Sequence, residues 1–204
     1  MKAKKLFKVC ALLMLAVMSC LSLTGCGGSK AEQKKFVITY LPNESTDKNA
    51  DARKGMAADL SKALGMEVTE LVSNDYNAVI EAMRTGKADM AYFGPLSFCL
   101  AYERAGAEPI GMIAKNKDKK NATYKSVLIT SSKNTDINGI QDIKGKTMAF
   151  VDPNSTSGNL IPSAAIMKAF PAEKLSMDDL HTNGKFFQAV SFSGKHQAGL
   201  AAVV

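Results

Sequence analysis

The sequence predicts an α/β protein in two lobes, each a mostly parallel sheet with helices on its faces. Two observations carry that prediction. From Phe36 onward, short runs rich in β-branched and aromatic residues alternate with amphipathic stretches of helical spacing, the order that gives parallel strands and crossover helices. Between Lys115 and Asn121 the pattern is interrupted by a polar, charged segment, the natural crossover from a first lobe (36–120) to a second (121–204).

The elements follow in order. Phe36–Tyr40 reads as a strand, stopped by Pro42 and the polar Asn43-Glu44-Ser45. Ala50–Leu64 has helical spacing through Met56, Leu60 and Leu64, with Gly65 placed as its C-cap. Met66–Val72 returns to strand character, and Tyr76–Met83 is a helix with Asp75 near its start and Gly86 beyond its end. Ala88–Phe93 is a strand broken by Gly94-Pro95, Leu96–Arg104 a helix, and Pro109–Ala114 a further strand. In the second lobe, Tyr124–Thr130 and Lys146–Val151 are strands, with Asp142–Gly145 a turn between them. Ser157–Phe170 is helical despite Pro162, because a first turn tolerates a missing N–H. Phe186–Phe192 is a strand, and His196–Val203 begins another helix. The chain stops at Ala201-Ala-Val-Val204 within that helix, so the expectation is a C-terminally truncated second lobe whose return crossover is incomplete.

The N-terminus has the anatomy of a signal. Lys2, Lys4, Lys5 and Lys8 precede an apolar run from Val9 to Leu23, too short and wrongly flanked for a membrane-spanning helix. The run ends in Leu23-Thr24-Gly25-Cys26, which resembles the lipobox of bacterial lipoproteins. That resemblance implies a signal peptide over 1–25 and a lipidated Cys26 that anchors the chain to a membrane. Residues 26–35 would be the flexible tether. Of the 26 Lys and Arg, four leave with the signal, so 22 remain against 19 Asp and Glu, a net of +3. Such a balance supplies no basic stripe, so nucleic acid is not expected as a partner. Cys10 and Cys20 also leave, and Cys99 stays as the one cysteine of the folded part, without a disulfide partner. Its neighbours Phe98 and Leu100 suggest a buried, inert thiol.

The chemistry concentrates in Val151-Asp152-Pro153-Asn154-Ser155-Thr156-Ser157-Gly158-Asn159. A strand enters a tight turn, and three successive hydroxyl residues open a helix. Helix N-termini present unpaired N–H groups and partial positive charge, so they take anions, and the hydroxyls add donors that suit a tetrahedral oxyanion. Gly158 would let backbone come close. Simple N-capping by a Ser or Thr accounts for one of these hydroxyls equally well.

That run, together with Ala91-Tyr92-Phe93-Gly94-Pro95-Leu96-Ser97 and Ser193-Gly194-Lys195-His196-Gln197-Ala198, resembles phosphonate-binding proteins in order and spacing. The resemblance extends from about Phe36 to the last residue. It implies the two-lobed type II periplasmic-binding-protein fold and the role of solute receptor for a phosphonate or phosphite ABC importer, partnered by the importer permease. It places Ser155, Thr156 and Ser157 on the ligand's oxygens. Tyr76, in Asp75-Tyr76, matches a tyrosine after the second strand that reaches the phosphonate. Tyr124, in Thr123-Tyr124-Lys125-Ser126-Val127-Leu128, matches another, and His196 matches a histidine at a helix start. Both tyrosines also fit the edge of an amphipathic core. The Tyr92–Pro95 turn reads as pocket floor, hinge or plain scaffold, and Glu44 and Ser45 as second contacts at a strand's carboxyl end. Lys195 stands where the family often has a small residue or Ser. The family's acidic residues for an aminophosphonate amine lie beyond residue 204. A ligand-sensing lipoprotein, or a receptor for sulfonate or sulfate, would share these features.

Neither an enzyme nor a cofactor is expected. There is no G-x-S-x-G elbow, and His181 and His196 are the two histidines, with no cysteine pair to complete a metal site.

Overall fold

A computed structural model describes residues 35–42 and 49–203. The expected signal peptide, Cys26, most of its tether, Glu44 and Ser45 lie outside the described residues.

The first sheet has three parallel strands, β1 (Phe36–Tyr40), β2 (Val68–Leu71) and β3 (Met90–Tyr92), in the order β2-β1-β3. Phe36 pairs with Val68 and Ile38 with Met90, so β1 lies in the centre. Its central place accounts for its burial: Ile38 and Thr39 are inaccessible, and the Thr39 hydroxyl, which an apolar strand centre would leave stranded, donates to Leu71 O at 2.9 Å. Helices α1 (Ala50–Leu64), α2 (Tyr76–Arg84) and α3 (Pro95–Ala105) form the connections. Gly65 closes α1 in the left-handed region at φ 66°, as the sequence predicts. Arg53 on α1 pairs with Glu70 at 3.0 Å, and its guanidinium sits 5.7 Å from the Tyr40 ring centre, tying α1 across two strands. Ile80 on α2 packs with Ala101 on α3 and Ala107 beyond it, which fixes the two helices against each other.

The second sheet pairs β4 (Thr147–Phe150) with β5 (Ala189–Phe192), again parallel, Thr147 opposite Ala189 and Phe150 opposite Phe192. Helices α4 (Ile161–Ala169), α5 (Met177–His181) and α6 (His196–Ala201) accompany it. Its core is aromatic: Phe150, Phe186 and Phe187 bury almost completely with Ile166 and Leu180, their rings meeting edge to face. Each such side chain contributes about 1.5–3 kcal/mol of transfer free energy. Pro162 occupies the first turn of α4, where its ring costs nothing. The short α5 was not foreseen. Ser176 caps it by accepting from Asp179 N at 3.2 Å, a local signal in a stretch with few apolar residues.

Two expected strands are corrected. Pro109–Ala114 and Tyr124–Thr130 form no strand among the described residues, and their side chains are open: Ile110 is 83% exposed and Val127 70%. Composition selects extended backbone, but a strand also needs an edge to pair with, and neither segment has one here. Cys99 is a further correction, being exposed rather than buried. Ser97 and Ala101, four residues apart, are the buried face of α3, and Cys99 between them points away.

Candidate functional site

The site grows from the turn after β4. Val151 N–H reaches Gly158 O at 3.0 Å, closing a loop of eight residues. Inside it, Asp152 accepts Asn154 N–H on Oδ1 at 2.8 Å and Ser155 N–H on its carbonyl at 2.9 Å. Ser155 is the N-cap, its Oγ accepting Gly158 N–H at 3.0 Å. The chain then makes one wide turn over Thr156–Leu160, with Leu160 N bonded to Ser155 O, five residues back. Gly158 is required sterically: a Cβ there would lie 2.3 Å from Val151 Cγ2. Asn159, buried, donates to Pro153 O at 2.9 Å and meets His181 Nε2 at 2.7 Å, so α5 buttresses the turn from behind. Burial pushes the His181 imidazole below its ordinary range, keeping it neutral.

Elements of the first sheet meet this turn. Asp75 caps α2 by accepting Ala78 N–H at 2.7 Å, which puts Tyr76 at the first helical position. Tyr76 is 2% exposed and packed with Leu41, Val79 and Val151, with the Ser155 hydroxyl close to its phenol. Burial, reinforced by the Asp152 carboxylate and opposed by Ser155, pushes that phenol up to about 12, so it keeps its proton at any physiological pH. Between β3 and α3, Ser97 Oγ accepts Gly94 N–H at 3.0 Å, and Leu96 N–H donates to Thr156 Oγ1 at 2.9 Å. Thr156 thus has its acceptor side occupied, and its own O–H is left to donate.

Three oxygens converge around Gly94. A Cβ built on it would stand 3.4 Å from Thr156 Oγ1, 3.8 Å from Ser97 Oγ and 3.8 Å from Tyr124 Oη. A Cβ there would stand at ordinary contact distance from all three. Tyr124 is 60% exposed, on the segment that also sends Ser126 Oγ to Ser157 O at 2.7 Å. At the matching end of β5, Gly194 N–H donates to Val151 O at 2.6 Å and Ser193 N–H to Phe150 O at 2.8 Å. The β5–α6 connection therefore runs beside the turn, with Lys195 as N-cap and half-buried His196 opening α6.

The structure thus brings Tyr76, Tyr124, Ser155 and Thr156 together, joins Ser157 to the same cluster through its carbonyl, and sets His196 at the same sheet end. Within the cluster the roles differ: Ser155, 2% exposed, is engaged by Gly158, whereas Thr156 and Tyr124 are accessible. Asp152, Ser97, Gly94, Ser126 and the Leu96 amide also build the site: all stand within the quoted motifs, Gly94 in the turn read as pocket floor, hinge or scaffold, and the others without a role assigned. A separate open groove of about 390 Å³ lies along the β2–α2 connection, lined by Val72, Ser73, Asp75, Ala78, Thr85 and Lys87, and lacks converging hydroxyls. Among the described residues no cluster of His, Cys, Asp and Glu is arranged to hold a metal, and no helix is long and apolar enough to cross a membrane.

Residues 38–204 match the family model described as the phosphonate ABC transporter periplasmic substrate-binding protein. The chain is 27% identical over 189 residues to the phosphate-import protein PhnD of Mycolicibacterium smegmatis, covering 88% of this chain and 57% of that one. It is 30% identical over 176 residues to a probable ABC transporter phosphite binding protein, PhnD1, of Prochlorococcus marinus, covering 83% of this chain and 54% of the relative. It spans about half the length of these relatives. Among solved structures, a binding component of an ABC phosphonate transporter from Pseudomonas aeruginosa superposes with a TM-score of 0.67 at 24% identity, over 84% of this chain and 54% of that one. PhnD1 of Prochlorococcus marinus in complex with methylphosphonate gives 0.57 at 23% identity, over 83% and 60%. The fold is that of these binding proteins, in accord with the two-lobed α/β architecture expected from the sequence.

Proposed function

The chain belongs to the phosphonate ABC transporter periplasmic substrate-binding family, and we propose that within it the chain is an extracytoplasmic receptor that captures a phosphonate, or phosphite or phosphate, for an ABC importer. The observation that carries this reading is the approach of the Thr156 and Tyr124 hydroxyls to Gly94 at the opening of the Thr156–Leu160 turn. Hydroxyl donors aimed at one point at the opening of a helical turn suit a tetrahedral oxyanion.

In this reading Thr156 and Ser157 donate to the oxyanion, Tyr124 closes over it, and His196 approaches from α6. Tyr76 and Ser155 form the buried wall that orients the turn. Ligand is held between a first lobe (36–120) and a second (121–204) that hinge together around it. Hydrogen bonds to a charged group are worth roughly 1.5–3 kcal/mol each, so four or five exceed the ~8 kcal/mol of micromolar affinity before ordering and desolvation costs. Capture by neutral donors also leaves no strong ion pair to hinder release to the permease. The site binds and does not transform its ligand. Cys26 carries the lipid that keeps the receptor at the membrane. A Cys26→Ala chain is expected to leave the membrane fraction and to lose fatty-acid labelling, and continued labelling would refute that anchor.

Isothermal titration of the unlipidated chain with methylphosphonate, 2-aminoethylphosphonate, phosphite, phosphate and sulfate tests the reading. Micromolar or tighter binding of one phosphorus anion, lost in Thr156→Val, is the expected result. Sulfate binding as well as or better than every phosphorus anion would reassign the receptor, and heat from none of the five would overturn oxyanion capture.

A further inference from the structure

The turn that carries Ser155, Thr156 and Ser157 is wider than an α-helical turn. Leu160 N–H reaches back five residues to Ser155 O, and single turns of this width are rare and recur at functional sites. One side chain braces the turn from within. Asn159, 1% exposed, sends its Nδ2–H across the loop to Pro153 O, six residues back, at 2.9 Å. The brace therefore spans all three hydroxyl residues: one end precedes Ser155 and the other follows Ser157.

Asn159 is itself held in one orientation. The Pro153 carbonyl can only accept, so the amide nitrogen must face it, and Oδ1 faces the other way. There Oδ1 meets His181 Nε2, from α5, at 2.7 Å and Ser163 Oγ, from α4, at 3.4 Å. An amide oxygen accepts as well, so Nε2 carries the ring proton and donates it. The imidazole is fixed in its turn. It stands edge-on to Phe150 at 5.1 Å and to Phe192 at 5.2 Å between ring centres, the last residues of β4 and β5. An unbroken chain of contacts thus runs from the ends of both strands, through His181 and Asn159, to the loop that presents the hydroxyls.

We propose that Asn159 is the positioning residue of the oxyanion site, its amide aimed by the His181 Nε2–H and acting on the ligand through the turn it spans. The role rests on the receptor reading above. Buried as it is, Asn159 does not reach a ligand. Its loss would strip Pro153 O of a donor and release the loop that spaces the Thr156 and Ser157 hydroxyls.

Titration calorimetry of the full chain with methylphosphonate tests it. Asn159→Leu, of similar size but without an amide, is expected to weaken binding roughly tenfold or more. His181→Leu should do the same, and His181→Gln, whose Nε2–H can stand in for that of the imidazole, should recover most of the loss. Both His181 variants forfeit the ring contacts with Phe150 and Phe192, so equal losses in the two would assign the effect to packing and overturn the role. Unchanged affinity in Asn159→Leu would overturn it as well. A wild-type measurement stands beside these in case the variants do not fold. Nitrogen-15 spectra of the His181 ring should show its proton on Nε2, and saturating methylphosphonate should slow hydrogen exchange of the Asn159 side-chain amide severalfold. A proton on Nδ1, or an exchange rate indifferent to ligand, would sink the proposal. Absence of any methylphosphonate binding by the wild-type chain would overturn the receptor reading itself; binding to which Asn159 is indifferent would overturn the positioning role alone.

Discussion

Thr156 performs two tasks with one oxygen. By accepting Leu96 N–H it joins the β3–α3 connection to the turn after β4, while its own O–H stays available to a ligand. Thr156→Val keeps the shape but removes both functions. We expect methylphosphonate affinity to fall roughly 10- to 100-fold, the value of one charge-assisted hydrogen bond, with Thr156→Ser retaining most of it. Equal losses in both variants, measured by titration, would show that the methyl group rather than the hydroxyl matters. The sequence exposed this residue because three adjacent hydroxyls before a glycine are visible in the primary structure. It did not separate their roles. Ser155 looks the same in the sequence, yet it is the buried cap, because only the path of the turn decides which hydroxyl faces inwards.

At the scale of elements, the turn from Asp152 to Leu160 depends on what stands behind it. Gly158→Ala would force a Cβ within 2.3 Å of Val151 Cγ2 and 2.4 Å of its Cβ, so backbone must move. Overpacking of this kind costs about 1–3 kcal/mol, and the melting temperature should fall by roughly 3–10 °C. An unchanged melt would mean that β4 and the turn are more pliable than their contacts imply. The His181–Asn159 pair gives a pH dependence. Burial lowers the folded-state pKa of His181, so on acidification the unfolded chain takes up its proton first. Stability should therefore decline as pH falls through the ordinary histidine value of about 6.5 and continue to decline to the folded value. His181→Gln should flatten that part of the profile, and thermal melts from pH 8 to 5 would show it; an unchanged slope would place the effect elsewhere. The regular elements were legible because their periods are: β1, α1, β2, α2 and β3 lie within two residues of where apolar spacing puts them. The failures have one cause. Pro109–Ala114 and Tyr124–Thr130 have strand composition, but pairing is a property of neighbours, which a local pattern does not contain.

Across the whole molecule, the site is a meeting of two sheets, each of which presents the carboxyl ends of its parallel strands. That convergence was foreseeable only through motif order, because Tyr76, Gly94, Tyr124 and Thr156 are far apart in the chain and no periodicity links them. Their joining by the Leu96–Thr156 bond and by the packing of Tyr76 on Val151 means that a ligand seated among them adds contacts to both halves at once. Ligand binding should then stabilise the whole cooperative unit: at a hundredfold excess over Kd, about 2.7 kcal/mol, seen as a raised melting temperature with methylphosphonate. A melt that stays fixed under saturating ligand would mean that the bound and unfolded chains hold it alike. The most direct test of the central claim is amide chemical-shift mapping during a methylphosphonate titration. The largest, saturable shifts are expected at Leu96, Thr156, Ser157 and Gly158, with smaller ones at Tyr76 and His196. Shifts concentrated instead along the Val72–Thr85 groove, with the turn after β4 unmoved, would contradict it.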